Sequence, residues 1–211
     1  MTLARFTSAL AVAALAVGSA SAEILPPGSS TALTGWVPAA GGTEIHSASY
    51  SFASTNVPVG GIVSTGTLDQ TVKQQLSGEL LFSLRISQLS TGPNTHLVGI
   101  MIGEWAGFSV DTDFLLGSGI SDPGMAARSA GIGDVVSWSD FSGPMSDGKN
   151  TSWMQILTDA AGFTIDMSHI RLDFSDGSMA QFRIAAPSTI PAPGALALLL
   201  GAALGGLRRR R

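Results

Sequence analysis

The stretch Glu79 to Leu89, ELLFSLRISQL, decides the fold class. Leu80, Phe82, Leu84 and Ile86 fall on one face of an extended chain, and Glu79, Ser83, Arg85 and Ser87 take most of the other. Wound as a helix, the same residues would scatter their polar groups around the whole circumference, so the period is two. The stretch predicts a strand with one face buried.

The same period recurs on both sides. Glu44 to Ala53 alternates Ile45, Ser47, Ser49 and Ser51 against His46, Ala48, Tyr50 and Phe52. His96 to Ile102 is a mostly apolar run, as expected of a strand covered on both faces. Gly107 to Asp111 and Asp134 to Trp138 are shorter candidates, and Thr151 to Asp159 is a better one. In His169 to Phe174 the inward set is Ile170, Leu172 and Phe174. Asp176-Gly177 follows as a hairpin signal, and Met179 to Ile184 returns with Ala180, Phe182 and Ile184 on one face. Glu23 to Gly42, rich in Pro, Gly and Ser, reads as a leading surface loop. Leu115 to Asn150 reads as long loops around one short strand, with a brief helix near Met125 to Ala130. No period of 20 to 50 residues marks a solenoid or propeller. These features predict an all-β domain over residues 43–185, an antiparallel β-sandwich with a jelly roll as its variant.

The two ends are different in kind. Met1 to Ala22 has a basic Arg5, an apolar run and an Ala20-Ser21-Ala22 cleavage pattern, which predicts a signal helix removed by signal peptidase after Ala22. At the other end, a linker over 186–190 leads into PAPGALALLLGAALGGLRRRR, residues 191–211. The apolar run Gly194 to Leu207 would span about 21 Å as a helix, short of the roughly 30 Å hydrocarbon core. Four arginines, Arg208, Arg209, Arg210 and Arg211, would hold its end on the cytoplasmic side. Such a tail suits a transient anchor that positions the chain for a membrane transpeptidase.

Pro191-Ala192-Pro193, the short Gly/Ala/Leu run and the arginine cluster, behind a signal peptide, resemble the PEP-CTERM sorting signal of Gram-negative bacteria. The likeness covers Ile190 to Arg211, and Ala192 stands where that family usually has Glu. The resemblance implies that an exosortase-like enzyme recognises the 191–193 region and passes the protein to the cell surface. It also implies company with exopolysaccharide and biofilm.

Composition narrows the partners. Of 11 Lys/Arg, Arg5 lies in the leader and four in the tail, leaving six against 15 Asp/Glu, a balance of −9 for the body. That excess argues against nucleic acid, which needs a basic footprint, and suits solubility or cation binding. There is no cysteine, so no disulfide staples the domain.

For chemistry the sequence is sparse. His46, His96 and His169 lie far apart with no zinc-like spacing, and no G-x-S-x-G nucleophile motif occurs. Glu104, Asp111 and Asp113 fall within ten residues, with Asp111 and Asp113 on one face if extended. They read first as solvated loop aspartates, then as a Ca²⁺ set, and last as a glycosidase acid and base. Asp147-Gly148-Lys149-Asn150 reads as a β-turn rather than a calcium loop. Of Trp36, Trp105, Trp138 and Trp153, the pair Trp105 and Trp138 are the better sugar-stacking candidates, against a core role for each, and Trp153 reads as core. The expected function is therefore a non-enzymatic, exported surface or matrix protein without a cofactor. A carbohydrate-binding module for exopolysaccharide is the alternative, and a polysaccharide-active enzyme the third reading.

Overall fold

The computed structural model describes residues 23–36, 42–56 and 61–189. Twelve strands follow in chain order: β1 Glu23–Ile24, β2 Ser30–Ala32, β3 Thr43–Thr55, β4 Ile62–Gln74, β5 Leu80–Ser90, β6 Leu97–Ile102, β7 Asp111–Phe114, β8 Met125–Arg128, β9 Val136–Ser139, β10 Met154–Thr158, β11 Gly162–Phe174 and β12 Met179–Ser188. They form one sheet in the order β1-β7-β10-β5-β4-β3-β12-β11-β6-β9-β8-β2, every ladder antiparallel. The fold is all-β, with no helix among the described residues. The expected signal helix and tail helix lie outside them.

β1 and β2 stand at opposite ends of that order, yet only residues 25–29 separate them in the chain. Five residues reach at most about 18 Å, so the sheet must curl until its ends approach. The inward faces then meet. Leu80, Phe82, Leu84 and Ile86 of β5 are all buried, as their alternation requires, and the Phe82 ring meets Trp105 edge-on at 5.2 Å. Ile170, Leu172 and Phe174 join the same core, with Ala180 and Ile184. Each large side chain so buried contributes about 1.5–3 kcal/mol of transfer free energy.

Two closures hold the curl. At the β1/β2 side sits Arg128, only 6% exposed. Its Nε donates to Gly133 O (2.8 Å), Nη1 to Leu25 O (3.2 Å), and Nη2 to both Trp105 O (2.9 Å) and Phe108 O (2.8 Å). A guanidinium carries five N–H donors in a rigid fork and no acceptor, so carbonyls from four separate places can converge on it. Burial pulls its pKa below the usual arginine value, and the charge of Asp159 opposes that pull. Gly133 has φ 67°, and a Cβ there would lie 2.6 Å from Arg128 Nε. Glycine is required at that point.

At the other side β3 and β12 share a single register pair, Thr55↔Met179. Rings fill the seam beyond it. Phe52 stacks on Phe182 (6.0 Å, 5°), Tyr50 leans on the same ring at 6.0 Å, and His46 meets Phe163 at 5.3 Å. Ala185 has no partner in the β11 register because the strand bulges between Thr164 and Ser168. The buried Gln70 amide serves it instead, donating to Ala185 O and accepting from Ala185 N, both at 2.9 Å.

Several expectations are corrected here. Residues 125–128 are strand β8, not a helix, because Arg128 must point into the shell. The Glu23 to Gly42 segment is not simply a surface loop: it supplies β1 and β2 and buries Leu25 (1% exposed) and Trp36 (8%). Residues 115–150 hold two strands rather than one. The Gly107 to Asp111 strand lies further along, at Asp111–Phe114. His96 to Ile102 is fully buried on one side only: Ile100 and Ile102 are in the core, Gly99 and Met101 are half-buried, and Val98, skipped at the register shift opposite Asp173/Phe174, is 40% exposed. β4 went unread because its inward row, Ser64, Leu68, Gln70 and Val72, is half polar. The Asp176-Gly177 hairpin is present, with Phe174 N–H to Ser178 O at 3.0 Å. Gly177 takes the positive φ, 78°. Asp176 instead accepts the Ser178 N–H through its carboxylate (2.9 Å).

Candidate functional site

The sequence candidates do not assemble. Trp105 and Trp138 are each 1% exposed, sealed in the core. A sugar platform must present a ring face to solvent, so neither serves as one. Asp111 and Asp113 do share a face of β7, opposite Leu157 and Gln155 of β10. Asp113, however, is 8% exposed, and its Oδ1 is occupied by the N–H groups of Gly35 and Phe114, both at 2.9 Å. Burial raises its pKa, and those two bonds oppose the rise. Glu104 lies elsewhere, in a hollow of about 270 Å³ with Phe108, Asp134 and Met167. The Glu104, Asp111, Asp113 set is thus not gathered around an ion, and among the described residues no group of three or more His, Asp or Glu is placed to hold one. The histidines are also apart: His46 packs on Phe163, His96 lines a loop groove and His169 is exposed on β11. The processing residues Ala20, Ala22, Pro191, Ala192, Pro193 and Arg208 to Arg211 fall outside the described residues.

What the fold does bring together is a polar row on the outer face of β10, β5, β4 and β3. Alternation puts Met154 and Ile156 inside, so Trp153 stands outside, half-buried beside β5. The Arg85 guanidinium lies 4.6 Å from the Trp153 ring centroid, a cation–π contact. Arg85 Nη2 then meets Asp69 Oδ2 at 3.2 Å. Ser87 Oγ donates to the same oxygen (2.9 Å), and Ser49 Oγ donates to Oδ1 (2.7 Å). Burial alone would raise the Asp69 pKa, but the bonds from Ser49, Ser87 and Arg85 outweigh it and hold the carboxyl below its ordinary range. Asp69 is therefore anionic at neutral pH. Indole, guanidinium, carboxylate and hydroxyls on one outer face are groups of the kind that contact sugars: the ring packs on apolar pyranose faces, and the others bond ring hydroxyls.

No protein-family model, curated protein or solved structure matches the chain. The site therefore rests on its own geometry.

A second concavity lies at one end of the sheet, between loops 91–96 and 144–147. It encloses about 590 Å³ and adjoins a hollow of about 390 Å³ beside Asp140 and Phe141. Here the Asp147 carboxylate accepts the Thr91 N–H. Lys149 N–H closes on Ser146 O at 3.1 Å, a β-turn over Ser146 to Lys149, one residue ahead of the Asp147 to Asn150 turn expected from the sequence.

Sequence reasoning missed the outer row because both rows of residues 153–157 are partly apolar: Trp153 and Leu157 on one side, Met154 and Ile156 on the other. Parity separates those rows without saying which faces water. Asp69 lies on β4, beside β5, and Ser49 on β3, one strand further, so both are brought near Trp153 by sheet pairing and no local spacing links them to it.

Proposed function

We propose that this chain is an exported, non-enzymatic surface or matrix protein, delivered by a PEP-CTERM-like signal in a Gram-negative bacterium. One observation carries the reading. The expected cuts flank the folded body: Glu23, which follows Ala22, opens β1, and β12 ends at Ser188, three residues before Pro191. In this reading signal peptidase removes residues 1–22, and an exosortase-like transpeptidase acts at Pro191-Ala192-Pro193 after Arg208 to Arg211 have stalled the tail in the membrane. The body delivered is a sandwich, with β1-β7-β10-β5-β4-β3 as one layer and β12-β11-β6-β9-β8-β2 as the other. Intact-mass analysis of the protein from its host tests the route. A species beginning at Glu23 and ending near Pro191, with or without an added group, is expected; a mass matching the full 21.5 kDa chain overturns it.

A second reading, polysaccharide binding, is favoured by the Trp153–Arg85–Asp69 row in place of the buried indoles. Binding of the host's own exopolysaccharide should fall in Trp153→Ala and Asp69→Ala. Unchanged binding in both variants would remove that face from the reading.

A further inference from the structure

The two lips of the seam are not equally protected. β12 carries Arg183 and Pro187 and faces the β11 bulge, and charges, prolines and bulges are the devices that blunt a strand edge. β3 pairs with β4 along its length, while among the described residues its second edge meets β12 only at Thr55. Its one charged residue, Glu44, precedes a bulge between Glu44 and His46. From His46 to Ala53 the register is unbroken, and the run holds no Asp, Glu, Lys, Arg or Pro. Ser47, Ser49, Ser51 and Ala53 along it are exposed. Unpaired backbone of this length is a template for another strand.

We propose that a second copy of this chain occupies that edge, pairing β3 antiparallel to β3 across a two-fold axis at Ser49. The sequence is complementary to itself in that register. Ser47 faces Ser51, Ser49 faces its own counterpart, Ala48 faces Tyr50 and His46 faces Phe52, so no like charges meet and the two sides of the pleat stay matched. A two-fold contact of this kind closes on itself, giving a dimer with one continuous sheet rather than a fibre. The inference does not depend on the sorting route or on sugar binding.

Sedimentation equilibrium of the full chain tests it, comparing wild type with Ser47→Lys/Ser51→Lys. Each lysine then opposes the other across the axis, and the dimer dissociation constant should rise about tenfold or more. Both serines are exposed, so circular dichroism should stay at the wild-type spectrum, and Tm should match where both proteins are dilute enough to be monomeric, since dimerisation raises the wild-type Tm by mass action. The tail, left intact, contributes equally to both proteins. A wild type that is monomeric at every concentration, or a lysine variant that dimerises as tightly, overturns the proposal. A second measurement uses the absence of cysteine: Ser49→Cys should form a disulfide-linked dimer on mild oxidation far faster than Ser146→Cys, a loop control. Equal rates overturn it.

Discussion

The shell closes twice, by opposite means. On the β1/β2 side a single charged group, Arg128, gathers carbonyls of Leu25, Trp105, Phe108 and Gly133. On the β3/β12 side one backbone pair, a run of aromatic rings and the Gln70 amide span the seam. The first closure is directional: the carbonyls of Leu25, Phe108 and Gly133 meet the guanidinium, and Trp105 O has besides it the long Phe108 N–H contact (3.4 Å), so losing Arg128 strands several at once. The second is mostly apolar contact, which degrades by increments as atoms are removed. A buried cation makes a rigid joint, whereas stacked rings leave the β3 backbone edge available.

The comparison is broken most directly at Arg128. Arg128→Met should destabilise the protein by about 3 kcal/mol or more, since several buried carbonyls lose their donor at about 1–3 kcal/mol apiece, read as a lowered denaturation midpoint. Arg128→Lys should recover little of that loss, because an ammonium has three donors and no fork. Near-wild-type stability in either variant would show that the four carbonyls find other partners.

Gln70→Ala comes next. It leaves the Ala185 N–H and C=O unpaired inside the seam and should cost about 1–3 kcal/mol. Hydrogen exchange should accelerate at Ala185 before the core strands respond. Exchange unchanged at Ala185 would mean that the amide pair does not hold the seam.

The smallest effect sharpens the comparison at the surface. Asp69 has its pKa lowered from 3.8, so the folded state binds fewer protons. Its contribution is present above that ordinary value and disappears as pH falls toward the lowered one. As a partly exposed pair with Arg85, it is worth under about 1 kcal/mol. Asp113 has the opposite sign. Its pKa is raised from 3.8, so stability falls as pH rises from that value through the raised one. Denaturation across acid pH should therefore show Asp69→Asn flattening the loss on the acid side. Asp113→Asn, which keeps an acceptor for Gly35 and Phe114, should hold its stability at neutral pH. Identical pH profiles for both variants would contradict the assignment.

How much of this was legible beforehand follows from range. β5 and the β11–β12 hairpin were readable because their signals are local: alternate apolar residues, then Asp-Gly. β4 was not, since Ser64 and Gln70 put polar side chains in its inward row. Gln70 is polar because Ala185, 115 residues away, needs it. Ser64 is buried where its own N–H meets Ser54 Oγ (2.9 Å). Of the candidate site, the sequence could not say which tryptophans face solvent. Trp105 and Trp138 went inward and Trp153 outward, because neither the composition of a short segment nor the parity of a strand says which side of a curled sheet faces solvent.

By itself the sequence determined the period-two strands, the turn at Gly177 and the contrast between an acidic, cysteine-free body and its two apolar ends. Those are properties of neighbouring residues, set by backbone geometry and solvation. Only the tertiary structure decided that Arg128 would reach Leu25, 103 residues away, and that Trp153, Arg85 and Asp69 would meet on one outer face. Parity orders residues along a strand, but strand pairing decides which strands are neighbours, and curling decides which face is buried.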